Sequence, residues 1–320
     1  MTTPVITALK RNCPQAWLTY VVEEPFREIV EGHPYLDEII VLPRKQKTKD
    51  LIQSIRQIRK TKYDVLIDLF GGPKAAWITL FAKAKLKIGY AVKYKSFIYQ
   101  IRISRRSKED PIHSVENHMN LVRALGIKVD PIPSLLVPDA SDKEKEKVSR
   151  FFEENDLIDS KMIALHIGAG NDFRDWGMDH LMELTKLLTQ RPDTRIVLVG
   201  ASQDQIRAER MIKNSKAPIF SLVGKLGLKE LRELISRADL FVGPDSGPMH
   251  LAASTETPIV AYFGPTLPAL FRPWQARAII IEKDYECRFK CGQRKCMYDD
   301  FRCIQTITPQ EVFNACLEFL

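Results

Sequence analysis

Asp239-Leu240-Phe241-Val242-Gly243-Pro244-Asp245-Ser246-Gly247-Pro248-Met249-His250-Leu251-Ala252-Ala253 decides the fold of this chain. It reads as a short buried strand, a tight polar turn and the start of a helix. The turn places an acid, a hydroxyl and a glycine where the helix begins. A helix N-terminus offers unpaired N–H groups and the positive end of a dipole, so it suits a phosphate. Glycine lets the backbone approach a ligand closely. Helix capping by Asp245 or Ser246 is the plainer reading of the same turn. The next stretch, Thr257-Pro258-Ile259-Val260-Ala261-Tyr262-Phe263-Gly264-Pro265-Thr266, is a second strand ending in a second turn. Two such junctions one helix apart make a βαβ unit, whose C-terminal strand ends face one crevice.

Working outward, strands and helices alternate through the whole chain. Toward the N-terminus, Trp17–Val22, Glu38–Leu42, Val65–Leu69 and Lys87–Tyr90 read as strands, with helices over Lys49–Lys60, Lys74–Ala84 and Val115–Leu125. A proline-rich stretch around Pro131, Pro133 and Pro138 suits a linker. Ser141–Asn155 is a charged helix leading out of it. A second series then runs through strand Met162–Gly168, helix Asp179–Thr189, strand Arg195–Val199, helix Gln203–Asn214, strand Phe220–Leu222 and helix Leu228–Ala238. The two quoted strands close it. Thr308 caps a last helix with Pro309 at its first position. The pattern predicts an α/β fold with two parallel-sheet halves and a ligand at strand C-termini. The chain opens directly on a helix around Thr3-Pro4, with no strand before it.

With 320 residues the chain is long enough for two domains. No apolar run approaches the ~20 residues needed to cross a bilayer, and nothing resembles a secretory signal, so a cytoplasmic location is expected. The formal charge of +8 favours anionic partners. Nine basic residues and no acid lie between Lys83 and Lys108, interleaved with Tyr90, Tyr94, Phe97 and Tyr99. This is a solvated face or a surface for an anionic acceptor or membrane leaflet. No nucleic-acid module is present, so no nucleic-acid partner is expected.

The Gly243–Ala252 motif paired with Phe263-Gly264-Pro265-Thr266 resembles glycosyltransferase family 9, the ADP-heptose:lipopolysaccharide heptosyltransferases and their relatives. The likeness spans essentially the whole chain, including Tyr63–Leu69 and a late cysteine-rich segment. It implies the GT-B architecture of two Rossmann-like domains facing across a cleft. Residues 1–138 would be the acceptor domain, 139–307 the nucleotide-sugar domain, and 308–320 a helix returning to the N-terminal half. An acceptor hydroxyl would attack the anomeric carbon with inversion as the nucleoside diphosphate leaves. No cofactor is required, because helix dipole, N–H groups and basic side chains can stabilise the leaving group.

By the same resemblance, Ser246 and Gly247 would cradle the diphosphate of ADP-heptose, and Asp245 would orient the turn or contact the sugar. His250 is a ligand contact or a packed core histidine. Gly264 and Thr266 would line the opposite wall. Gly168 opens a third site loop, in which Arg174 stands where the family usually has Lys; it binds phosphate, or pairs with Asp172 or Asp175. Trp176 beside it suits packing. Gln203 and Asp204 are candidates to reach the nucleotide, or else cap a helix. Asp68 and Gly71 end an N-terminal strand and would meet the acceptor. The implied partners are the nucleotide sugar, a lipid-linked anionic saccharide and, peripherally, the inner membrane.

Family members carry their general base in a Gly-Asp loop after a first strand, and here that loop would lie upstream of Met1. The chain is therefore expected to lack the first strand, to be a truncated form, and to bind nucleotide sugar while transferring it poorly. An inactive nucleotide-sugar-binding remnant and a GT-B sugar-nucleotide epimerase are the alternatives. Cys287, Cys291, Cys296 and Cys303, spaced C-x3-C-x4-C-x6-C, read as packed or redox-labile thiols, a structural Zn or Fe–S site, or disulfides.

Overall fold

Parallel strands alternating with helices build two compact units, Met1–Pro138 and Asp139–Leu320. They are seen in a computed structural model that describes residues 1–44, 48–92, 96–105, 110–158, 160–215 and 218–320. Lys93, Tyr94, Lys95, Arg106 and Lys108 of the basic stretch lie outside the described residues.

The first unit holds strands β1 (Thr19–Glu23), β2 (Glu38–Leu42), β3 (Tyr63–Ile67), β4 (Ala84–Tyr90) and β5 (Ile101–Ile103). They form two separate parallel sheets, β1-β2 and β3-β4-β5. β1 and β3 therefore each keep an unpaired edge among the described residues. Both strands are poorly covered, with Val21 38% and Val65 39% exposed, although inner strands of parallel sheets are normally buried on both faces. The first helix, Thr3–Asn12, buries Thr3 through Ala8 and packs on helix Ser114–Arg123. The predicted helix to Ala84 stops at Phe81, because Ala82 turns extended and Ala84 already pairs with Tyr63. β5 was not foreseen; three residues give too little pattern to read.

The second unit has β6 (Lys161–His166), β7 (Thr194–Val199), β8 (Ile219–Ser221), β9 (Leu240–Pro244), β10 (Ile259–Phe263) and β11 (Ala278–Glu282). They make one parallel sheet in the order β11-β10-β9-β6-β7-β8. This is the doubly wound order, with its reversal point between β6 and β9. The unforeseen β11, Ala-Ile-Ile-Ile-Glu, adds an edge to the expected series. Trp176, Leu181, Leu184, Val242 and Tyr262 are among its core residues. The last helix, Pro309–Leu317, had been expected on the N-terminal half. Within its own unit it packs on helix Met178–Leu188. Val312 and Cys316 are fully buried in that unit's core, which supplies the apolar partner the helix face needs. Among the described residues no helix is long and apolar enough to cross a membrane.

Candidate functional site

The sheet reversal puts the ends of β6 and β9 side by side, and the two loops that leave them carry most of the expected residues. β6 pairs with β9 from Ile163↔Leu240 to Leu165↔Val242. His166 is the last residue of β6 and is buried. Its Nδ1 lies 3.2 Å from Ser246 Oγ, across the reversal point. Burial pushes the imidazole down to about 4, so it is neutral near pH 7. A neutral ring nitrogen can fix the direction of the serine hydroxyl. Gly243 makes this approach possible, since a Cβ there would stand 2.9 Å from His166 Cβ. Sequence reading missed His166; its position at the end of a buried strand, before Gly168, was the available signal.

Ser246 is extended (φ −159°, ψ 170°), and the helix Gly247–Ala252 begins immediately after it. A Cβ on Gly247 would meet nothing within 4 Å, so the N-terminal side of the turn is open. Ser246 makes no side-chain cap on this helix, which leaves its hydroxyl to His166.

Arg174 follows from the loop after β6, at the end of a single 3-10 turn, Asp172–Arg174. Its Nη1 lies 3.3 Å from the Asp245 carbonyl oxygen, to which it donates, and 3.4 Å from Asp245 Oδ2. It is not paired with Asp175, whose carboxylate instead binds Arg207. Arg207 also donates to Ile167 O (2.8 Å), so the helix Gln205–Asn214 holds both ends of this loop. Asp245 is buried, and that burial raises its carboxyl above the ordinary value, with the Thr266 hydroxyl and the Arg174 guanidinium opposing the shift. His250 Nε2 lies 4.0 Å from Asp245 Oδ1. Arg174, Asp245, Ser246, His250 and Thr266 thus form one cluster of charge and hydroxyl at strand ends.

The cysteine-rich segment reaches this cluster through residues other than cysteine. Gln293 Oε1 accepts from Arg174 Nε and from Asn171 Nδ2, both at 3.1 Å. Arg288, 3% exposed, donates to Thr266 O (2.7 Å) and to Lys283 O (2.9 Å), and pairs with Glu282. Neither Gln293 nor Arg288 was foreseen. A buried arginine has no sequence signature apart from its partners. The six cysteines are all free. Burial drives the Cys303 thiol up to about 11. Burial also acts on Cys296, but the backbone N–H groups of Tyr298, Phe301, Asp299 and Asp300 outweigh it and hold that thiol below its ordinary value. Among the described residues no group of three or more His, Cys, Asp or Glu is gathered to hold a metal. Cys287, Cys291 and Cys296 lie near enough to Cys303 to push its thiol up as well, after burial.

Four glycines and two acids have local explanations. A Cβ on Gly168 would stand 2.4 Å from Asp204 Oδ2, and one on Gly200 would stand 2.9 Å from the same atom. Gly168 is therefore small to admit Asp204, which accepts from Ala201 N at 2.9 Å. Gly264 is wedged: a Cβ would lie 3.0 Å from Ile304 Cβ and 3.2 Å from Phe173 O. Trp176 is buried, donates Nε1–H to Ile307 O (2.8 Å) and packs on Tyr262. In the first unit, Asp68 Oδ1 accepts from Phe70 N (3.0 Å) and Gly71 N (2.8 Å), and Oδ2 accepts from Tyr99 OH (2.6 Å). Gly71, at φ +70°, completes that turn.

The two α/β units, each built on parallel strands, have the GT-B fold. The fold is shared with a glycosyltransferase family 9 structure from Veillonella parvula, with a TM-score of 0.85, 22% identity, and coverage of 99% of this chain and 92% of that one. It is shared likewise with the Escherichia coli ADP-heptose lps heptosyltransferase II, with a TM-score of 0.80, 20% identity, and 99% and 93% coverage. Residues 51–301 match the model of glycosyltransferase family 9 (heptosyltransferase), and the chain belongs to that family. Its sequence is 27% identical over 287 residues to lipopolysaccharide heptosyltransferase 3 of Escherichia coli K12, covering 87% of this chain and 83% of the relative. The protein is thus a transferase enzyme.

Proposed function

We propose that this enzyme moves a heptose from ADP-heptose to a lipopolysaccharide core acceptor on the cytoplasmic side of the inner membrane, inverting the anomeric carbon. One observation carries the reading: Arg174, Ser246 and the open N–H end at Gly247 meet at the β6/β9 reversal. A diphosphate there would be met by a guanidinium, a hydroxyl held by His166, and backbone donors. Gly168, Gly264 and Thr266 shape the loops around it, and we assign His250, 4.0 Å from Asp245, to the sugar. Asp245 bears on Arg174 rather than on phosphate, which it would repel. The relatives' names supply the sugar and acceptor: lipopolysaccharide heptosyltransferase 3 from Escherichia coli K12 and a lipopolysaccharide core heptosyltransferase from Haemophilus influenzae.

In the reaction, the acceptor hydroxyl oxygen forms a bond to the anomeric carbon and gives up its proton to a base or to water as the bond to the diphosphate oxygen breaks. Negative charge grows on the departing ADP, and Arg174 with the turn's N–H groups stabilises it without reorganising. The acceptor is assigned to the first unit, at the turn that Asp68 and Gly71 build after β3. The basic stretch from Lys83 onward would hold the unit near anionic lipid. The test is incubation with ADP-heptose and heptose-deficient lipopolysaccharide, reading ADP release and the product's anomeric configuration. Acceptor-dependent release with inverted configuration is expected. Release of UDP from a UDP-sugar, or a retained configuration, contradicts the proposal.

A further inference from the structure

The helix Pro73–Phe81 is apolar nearly all round, and two of its faces are used inside the first unit. Ala76 and Leu80 pack with Ile98 and Tyr99. Ile78, with the following Ala82, joins the core of Ile40, Leu42 and Ile58. A third face leaves Trp77 52% and Phe81 41% exposed. These residues are one helical turn apart, and their rings stack with centroids 5.8 Å apart and planes within 9°. Phe97, in the turn Ser96–Ile98 that touches this helix, is 72% exposed. Outward aromatics grouped in this way on a soluble enzyme mark an interaction surface.

The surrounding charge says what kind. Lys87 Nζ donates to Leu80 O at 2.9 Å, at the end of the same helix. Burial, and after it the nearby charge of Arg59, hold the Lys87 ammonium below its ordinary pKa, which brings the end of helix Thr48–Ile58 to the same place. Arg56, Arg59, Lys60, Lys62 and Lys83 are all exposed. Between residues 51 and 90 the only acids are Asp64 and Asp68. Asp64 is bonded to Lys85 (2.7 Å), and Asp68 is buried. An aromatic ridge in a segment rich in exposed cations, although Lys74 of the same helix is paired with Glu23, matches the head-group layer of an anionic bilayer, where indole and phenyl rings settle and basic residues meet lipid phosphate.

We propose that Trp77 and Phe81 enter the interface of an anionic phospholipid bilayer, with Arg56, Arg59, Lys60, Lys62 and Lys83 pairing with its head groups. This deepens the peripheral-membrane reading above and rests on it. That reading needs only charge; the ridge adds insertion. The test is co-flotation of the full chain with phosphatidylcholine vesicles, with and without phosphatidylglycerol, for the native chain and a Trp77→Ser, Phe81→Ser double variant. The native chain should float with the anionic vesicles, and the double variant should lose about tenfold or more in partition while keeping its circular dichroism. Brominated phosphatidylcholine should quench native fluorescence more than that of a Trp77→Phe variant. If the double variant floats equally and salt alone releases it, the ridge is refuted and the charge-only reading stands. If the native chain floats with neither vesicle, both fail.

Discussion

His166 and Arg174 illustrate how single side chains set the chemistry of this site. His166 ionises near 4 when folded against an ordinary 6.5. Between those values the unfolded chain holds more protons than the folded one, so stability rises with pH across that window and falls on acidification. A His166→Asn variant should flatten this slope in thermal melts from pH 4 to 7, removing up to about 3 kcal/mol of pH dependence. His33 (about 4) and His118 (about 3) share the sign in the first unit, so part of the slope remains. Gly168→Ala forces its Cβ onto Asp204 Oδ2 and should cost about 1 kcal/mol in denaturant unfolding. Asp204→Ala in the same chain should return most of that cost. An additive double mutant would show that the two residues do not compete for this space.

At the scale of elements, capping and periodicity were the readable part. Thr308 accepts from Glu311 N, and Glu311 reaches back to Thr308 N at 2.8 Å, as the Thr-Pro-Gln-Glu spacing promised. Thr308→Ala should destabilise the second unit by about 1 kcal/mol in urea unfolding, because the helix it starts buries Val312 and Cys316. Ser141 makes the same box with Glu144. What the sequence concealed was where a helix goes. An amphipathic stripe on Pro309–Leu317 says that it needs an apolar partner, not which one, and Met178–Leu188 was the partner. β5 and β11 were hidden for a related reason: short edge strands carry too few residues to show alternation. The cysteine spacing left packed thiols, a metal site and disulfides open, and the bonds of that segment to the cluster run through Arg288 and Gln293, whose partners are 22 and 119 residues away.

Across the whole molecule, the parallel βαβ pattern of the second unit was legible because Asp239–Ala253 and Thr257–Thr266 carry two strand ends and both turns. The first unit was harder, since its sheet is in two pieces and β1 and β3 keep half-exposed residues. Ser246 and Arg174 could be named from the sequence as members of the strand-end cluster, but the brace behind them, His166 and Gln293, needed the fold. The central claim is that ADP binds where β6 and β9 end. It is tested most directly by calorimetric titration of the full chain with ADP, UDP and GDP, beside Arg174→Ala and Ser246→Ala. Loss of a charge-assisted phosphate contact costs about 1.5–3 kcal/mol, so Arg174→Ala should weaken ADP binding by about tenfold or more, and Ser246→Ala by less. Preference for ADP with both variants weakened is the predicted result. Unchanged ADP affinity in both variants, or tighter binding of UDP or GDP, would contradict it.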